Sequence, residues 1–100
     1  MATTGFIQII EGRTSRFEEL EALEEEWRTA TEGKRTLRQS FVGRDRNDPN
    51  HYIILAFFDS YESAMKNSNL PETNEFGQKQ AKLLDAGPTF TDLDVVMERA

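Results

Sequence analysis

His51 is the only histidine in the chain, and imidazole is the side chain best suited to acid–base chemistry near neutral pH. It stands directly after the turn sequence Asp-Pro-Asn and at the start of the apolar run YIILAFF. That position favours an exposed residue beside a hairpin, but it is also open to a general base that takes a proton from a phenol. If the chain is an enzyme, His51 is therefore its predicted catalytic residue.

Four further side chains are candidates for binding a ligand. Gln8 and Gln39 are polar residues inside strand-like patterns, and a buried amide has to find hydrogen-bond partners. Tyr52 follows His51 directly. Trp27 ends the apolar stripe of a predicted helix, where core packing is favoured over stacking on a ligand. With His51, these four are the predicted lining of any ligand site.

The charged side chains favour solvated surfaces over binding sites. A run of glutamates could hold a metal or another cation, but it lies opposite the apolar stripe of the same helix and suits a solvated face: Glu18, Glu19, Glu21, Glu24, Glu25 and Glu26. Arg38 lies within a predicted strand and would hold an anionic or phenolate ligand if it faced a pocket; an orientation toward the sheet edge is favoured. A lone histidine predicts no metal site, and we expect no cofactor.

Composition limits the range of functions. At 100 residues the chain is expected to form a single domain, 1–100, with one core. The absence of cysteine excludes disulfides, thiolate metal sites and cysteine nucleophiles. A net charge of −6 argues against nucleic acid as a partner, because a nucleic-acid binder needs a clustered basic surface. No signal peptide and no apolar stretch of the roughly 20 residues that cross a bilayer are evident, so we expect a cytoplasmic protein without a membrane partner.

Apolar spacing and turn residues divide the chain into strands and helices. One amphipathic helix, capped by Ser15 and ended by Gly33, is predicted from apolar residues at spacings of three and four: Phe17, Leu20, Leu23, Trp27 and Ala30. Asp59 or Ser60 is predicted to cap a second helix. The remaining predicted elements are strands over 5–11, 35–44, 51–59 and 89–98, a turn over 45–50, and helices over 61–67 and 71–85.

This order of elements predicts an α+β fold of the ferredoxin-like βαββαβ type, with a four-stranded antiparallel sheet. The first and third strands would be central. In the third, HYIILAFFD, both faces are apolar, and the helices can cover only one of them. An exposed patch of that size is unusual for a monomer, so we predict a homodimer in which two sheets pack against each other.

The order of elements, together with the segments PNHYIILAFFDSYESAM, NLPE and GPTFTDLDVV, resembles the antibiotic biosynthesis monooxygenase-like family of the dimeric α/β-barrel superfamily, from about Gly5 to Met97. The resemblance implies a homodimeric α/β barrel with a pocket between sheet and helices in each subunit. The family that the sequence resembles includes cofactor-independent oxygenases of aromatic polyketides or quinols, haem-degrading enzymes, isomerases, and proteins without an assigned role.

The chain departs from the pattern that the resemblance implies for active members. Where those members carry a tryptophan, a glutamate and a histidine, this chain has Phe58, Ala56 and, near the third position, Asn67. Where haem degraders carry an asparagine and a histidine, it has Gln8 and a segment, 71–85, without histidine. Haem chemistry is therefore not expected.

Two functions follow from these observations. The first is a homodimer that binds an aromatic or quinone-like compound, with cofactor-independent monooxygenation as its reaction if it is an enzyme. The alternative is a non-catalytic dimeric accessory or binding protein of the same fold. Convergence of Gln8, Gln39 and His51 on one cavity of at least ~300 Å³ would favour the first, and an interior filled by Phe and Leu would favour the second.

Overall fold

The computed structural model describes residues 5–99 and contains the predicted βαββαβ order, with the second helical segment divided in two. The division falls at Pro71, which begins the later helix because proline is tolerated in a first turn. The elements are β1 (Phe6–Arg13), α1 (Phe17–Ala30), β2 (Gln39–Asp45), β3 (Asp48–Phe58), α2 (Tyr61–Ser68), α3 (Pro71–Leu83) and β4 (Ala86–Asp94). No helix among these is long and apolar enough to cross a membrane.

The four strands form one antiparallel sheet in the order β2-β3-β1-β4, so β1 and β3 are central, as predicted. Gln8 lies opposite Ala56 and Ile10 opposite Ile54 across the β1–β3 pair. Because residues directly opposite each other share a face, this register decides which side chains meet the helices.

The two faces of β3 differ in burial as its alternation predicts. Tyr52, Ile54, Ala56 and Phe58 are buried on the side that the helices cover, whereas the residues between them are only partly covered. We call the opposite side of the sheet the outer face; the register places on it Ile7, Ile9, Phe41, Ile53, Leu55, Phe57 and Leu93. The helices thus bury one of the two apolar faces of β3.

Two separate core clusters attach the helical layer to the sheet. One contains Phe6, Ala56, Phe58 and Ala64, and α2 contributes the last of these. The other joins Leu20 of α1 to Tyr52 and Ile54 of β3, with α3 contributing the partly buried Leu83. Between the two clusters α1 and α3 pack against each other rather than directly on the sheet. This arrangement leaves open space over the middle of the sheet.

The start of α1 differs from the predicted capping box. Arg16 occupies the N-cap position, and Ser15 provides no side-chain cap but donates its backbone N–H to Asp85. The buried Thr14 takes the bridging role instead: its hydroxyl donates to the Leu83 carbonyl at 2.7 Å and accepts from the Arg16 N–H at 2.9 Å. One side chain therefore ties together the end of β1, the start of α1 and the end of α3.

Three strand boundaries also differ from the prediction. β2 begins at Gln39 rather than at 35, because Lys34 and Arg35 donate their backbone N–H groups to the Thr31 carbonyl in a turn after α1. β3 begins within the predicted turn, which shortens the loop to Arg46 and Asn47. β4 runs over Ala86–Asp94 instead of 89–98, since Asp94 pairs with Phe6, the first residue of its only neighbour.

Replacing Thr14 by valine should destabilise the fold, because it removes both hydrogen bonds and leaves the Leu83 carbonyl without its hydroxyl donor. We expect a loss of about 1–3 kcal/mol in the free energy of unfolding, measured by urea titration. Thr29→Val is the matched control, since the exposed Thr29 hydroxyl bonds only within α1, to Glu25. Equal effects of the two substitutions would contradict the bridging role of Thr14.

Candidate functional site

A cavity of about 540 Å³ occupies the space between the sheet and the helices α1 and α3. Its floor is mostly apolar and comes from the helix-facing side of the sheet: Gln8, Ile10, Ile54, Ala56, Phe58 and Phe90. Phe90 is 58% exposed and marks the open side. A largely apolar cavity of this size matches the usual dimensions of a small-molecule site.

Trp27 and Phe76 form an aromatic wall of this cavity. Their ring centres are 6.1 Å apart, and the rings are tilted by 52°. The Trp27 indole N–H donates to the Thr73 hydroxyl at 2.9 Å, which fixes the ring orientation and satisfies its one polar group. Trp27 therefore lies on the cavity wall, while its predicted contact with a ligand stays a prediction.

Three of the amide side chains that line the cavity are each held by a protein contact. Gln8 donates to Asp92 at 3.2 Å, Asn67 accepts from the Thr36 backbone N–H at 3.2 Å, and Gln80 donates to the Tyr52 hydroxyl at 3.3 Å. An amide has both an oxygen and a nitrogen to offer. These side chains are thus oriented by the protein while keeping hydrogen-bonding capacity.

Within the described part of the chain, Glu24 is the one carboxylate on the cavity wall, and it lies on the α1 face that was predicted to be solvated. Burial raises the pKa of this carboxyl above its ordinary value, against a smaller lowering influence from Arg28. The neighbouring carboxylates Glu25 and Glu21 on the same helix raise this pKa further, by less than burial does. Glu24 is therefore half-buried, whereas the other members of the glutamate run are exposed, as predicted.

Tyr52 is 1% exposed and lies beneath α1 and α3 rather than on the cavity surface. Burial raises the pKa of its phenol, and the Gln80 hydrogen bond lowers it by less. Glycine at position 12 makes this placement possible, since a Cβ there would lie only 2.9 Å from the Tyr52 hydroxyl. Tyr52 therefore affects the cavity indirectly, because its hydroxyl accepts the hydrogen bond that orients the cavity-lining Gln80.

Gln39 and His51 lie on the other side of the sheet. Gln39 is exposed and pairs with Phe57, and His51 pairs with Arg13, so neither faces the helices. Of the three residues whose convergence would have marked a ligand site, only Gln8 lines the cavity. The catalytic role of His51 and the ligand contact of Gln39 stay predictions, without support from this geometry.

His51 is held between two carboxylates at one end of the outer face. Its Nδ1 lies 2.9 Å from Asp45 and its Nε2 lies 2.5 Å from Glu11, so one imidazole links β1, β2 and β3. The hydrogen bond to Asp45, and then that to Glu11, raises the pKa of His51 above its ordinary value. The same contact lowers the pKa of Asp45.

Arg38 has its guanidinium paired with Asp59 at 2.8 Å, and both side chains are well exposed. It follows the predicted edge orientation. None of the cavity-lining residues in the described part of the chain is a lysine or an arginine.

Sequence reasoning missed the roles of Glu24 and Gln80. A signal for Glu24 was present: it stands four residues after Leu20 and three before Trp27, which are the spacings of the apolar stripe itself. Gln80 carries no comparable signal, because its burial depends on α3 lying over Tyr52.

His51 should contribute pH-dependent stability. Because the pKa of His51 is raised in the fold, its contribution to the free energy of unfolding is fully present below its unfolded-state pKa of about 6.5. That contribution is lost as pH rises through its folded-state pKa. The charged groups around it are Asp45, Glu11 and the adjacent Arg13–Asp48 ion pair. His51→Gln should therefore lower the melting temperature more at pH 6 than at pH 9. The same decrease in melting temperature at both pH values would contradict a stabilising contact between protonated His51 and the carboxylates of Asp45 and Glu11.

No protein-family model and no curated protein sequence matches the chain. Solved structures, in contrast, match it over almost its full length. SnoaB, a cofactor-independent oxygenase from Streptomyces nogalater, superposes with a TM-score of 0.80 at 10% identity, covering 97% of each chain. A conserved protein from Methanosarcina mazei Go1 gives a TM-score of 0.81 at 10% identity, covering 93% of this chain and 94% of its own.

Several of the similar structures carry the name that the sequence resemblance suggested. One is a protein of Chloroflexus aurantiacus provisionally named an antibiotic biosynthesis monooxygenase, with a TM-score of 0.73, 19% identity, and coverage of 96% of this chain and 97% of its own. Identities this low show a shared fold and leave the activity open. The fold is that of the antibiotic biosynthesis monooxygenase-like proteins, with four antiparallel strands and helices on one face.

Proposed function

We propose that the chain binds a small aromatic or quinone-like compound in the cavity between the sheet and α1 and α3. The observation that carries this proposal is the cavity itself, about 540 Å³ with an apolar floor and the aromatic wall of Trp27 and Phe76. Planar rings bury large apolar area and stack favourably on such walls. The oriented amides of Gln8, Asn67 and Gln80 suit the carbonyl or hydroxyl groups of such a compound.

Cofactor-independent monooxygenation is the reaction that we propose for this site. In its balanced form a hydroxyarene reacts with dioxygen: one oxygen atom enters the ring as a quinone carbonyl and the other leaves as water. The substrate supplies all four electrons that reduce dioxygen. The protein would assist by taking the hydroxyl proton and stabilising the resulting anion. The likeness to a protein named as a cofactor-independent oxygenase supports this choice.

The alternative is a non-catalytic binding protein of the same fold. The side chains of Phe58 and Ala56 favour it, because they bring no acid or base to the cavity floor. Oxygen-uptake measurements with bound 1-naphthol, which must gain an oxygen atom to become a quinone, separate the two. Uptake with quinone formation would assign the oxygenase, and tight binding without uptake would assign the binding protein.

Ligand binding has a direct optical test, because Trp27 is the only tryptophan and lies on the cavity wall. Titration with 1,4-naphthoquinone should quench its fluorescence saturably, and the absence of cysteine removes the usual covalent side reaction. Gly77→Leu should weaken binding at least about tenfold, since the side chain would enter the cavity at a helical position with open space around its Cβ.

Gly77→Ala is the matched control, because it makes the same helix-favouring change without filling the cavity. It should keep the affinity of the parent chain. Equal quenching in all three proteins would contradict binding in this cavity.

We also propose that the chain acts as a cytoplasmic homodimer joined through the outer face. Phe57 and Phe41 meet edge to face there, with ring centres 6.0 Å apart, and Phe41 remains 52% exposed within one chain. With Ile7, Ile9 and Leu55 they make an apolar surface that a second copy would cover by packing sheet against sheet.

Two neighbouring residues of β2 provide a matched test of this interface. Phe41 and Val42 are both exposed, at 52% and 42%, but they point to opposite faces of the sheet. Phe41→Glu should raise the dimer dissociation constant at least about tenfold in sedimentation, because a charge would be buried between the sheets. Val42→Glu should leave the dimer intact. A monomeric parent chain would contradict the proposal outright.

A further inference from the structure

Glu24 is the only group on the cavity wall, within residues 5–99, that is able to take a proton near neutral pH. Helix α1 presents it between the buried Leu20 and the cavity-lining Trp27, one turn away on either side. Among the residues that the structure describes, no hydrogen bond or ion pair holds the Glu24 carboxylate in a structural role. Placing an ionised carboxylate in an apolar wall costs solvation free energy. Carboxylates in such positions are common in functional sites.

The charge of the cavity limits what it can bind. Among the residues that the structure describes, its lining includes one carboxylate, Glu24, and neither lysine nor arginine, while Arg38 lies away from it in an exposed ion pair. A carboxylate or sulfonate ligand would meet repulsion and no compensating cation. A neutral ligand with a hydroxyl group would instead offer Glu24 the donor that the protein does not provide.

Glu24 also has a route to solvent. It lines a second hollow of about 300 Å³ between α1 and β2, together with Glu21, Arg28 and Val42. A proton received on the cavity side can therefore leave through this hollow to bulk water. A group shared between a ligand cavity and solvent suits a proton acceptor that has to be regenerated.

We propose that Glu24 binds the hydroxyl group of a neutral hydroxylated aromatic ligand and accepts its proton. In that step the ligand O–H bond breaks, a new O–H bond forms on a Glu24 carboxylate oxygen, and the electron pair stays on the ligand oxygen. The raised pKa of Glu24 brings it closer to that of a phenol, which makes the transfer less unfavourable. The inference rests on the proposed function, since it assigns the proton acceptor of the same site.

The test compares three naphthalenes of similar size by calorimetry: 1-naphthol, 1-methoxynaphthalene, which lacks the donor, and 1-naphthoate, which is an anion. The parent chain should bind 1-naphthol at least about tenfold more tightly than either of the others. Glu24→Gln should reduce the preference over the ether severalfold and allow 1-naphthoate to bind comparably. Glu18→Gln, an equal charge change on an exposed position of the same helix, should keep the parent pattern.

The melting temperature of Glu24→Gln shows whether this variant is folded and tests the burial of the Glu24 charge. Because the pKa of Glu24 is raised in the fold, its ionised form opposes folding above that pKa, and the opposition disappears as pH falls below the unfolded value of about 4.3. The groups facing it are Arg28, Glu25 and Glu21 on α1 and Tyr52 from β3. Glu24→Gln should therefore melt at a higher temperature at pH 7, with the difference shrinking toward pH 4.

The outcomes separate the two proposals. If the parent chain binds none of the three naphthalenes, the proposed function is overturned and this inference with it. If it binds all three equally, or if Glu24→Gln keeps the preference for 1-naphthol, the cavity is a ligand site but Glu24 is not its acceptor.

Discussion

The cavity exists because the helices are attached to the sheet at two separate places. Leu20 packs on Tyr52 and Ile54 at one end, and Ala64 packs on Phe6 and Phe58 at the other. Burial of a large apolar side chain such as Leu20 or Phe58 contributes about 1.5–3 kcal/mol, so each attachment has a buried anchor of its own. The lining of that space lacks packing partners, and an apolar ligand would supply them.

The small residues around this space matter as much as the large ones. Ala56 on the floor and Gly77 on α3 leave volume that larger residues would occupy, and Gly12 leaves room for the Tyr52 hydroxyl. Tyr52 in turn holds Gln80, which reaches the cavity from the helix above. The polar part of the site is therefore built on core packing, and its orientation does not depend on surface ion pairs.

Much of the fold was predictable because it depends on local alternation. The apolar run at 51–59 identified a central strand with two apolar faces. Because side chains alternate along a strand, the same run places the adjacent residues His51 and Tyr52 on opposite sides of the sheet. The resemblance implied a pocket between sheet and helices, but the size and lining of the cavity were not predictable from the residues, since they depend on how far α1 and α3 stand from the sheet. Glu24 was missed because it belongs to a run of glutamates whose other members are exposed, and only the helix orientation separates it from them.

A crystal structure of the protein purified without added ligand, or soaked with a naphthoquinone, tests the central claim most directly. The account predicts planar electron density between the sheet and the helices, against Trp27 and Phe76 and within reach of Glu24. A cavity closed by the inward movement of those aromatic rings, with no space for a ligand in either crystal, would contradict it.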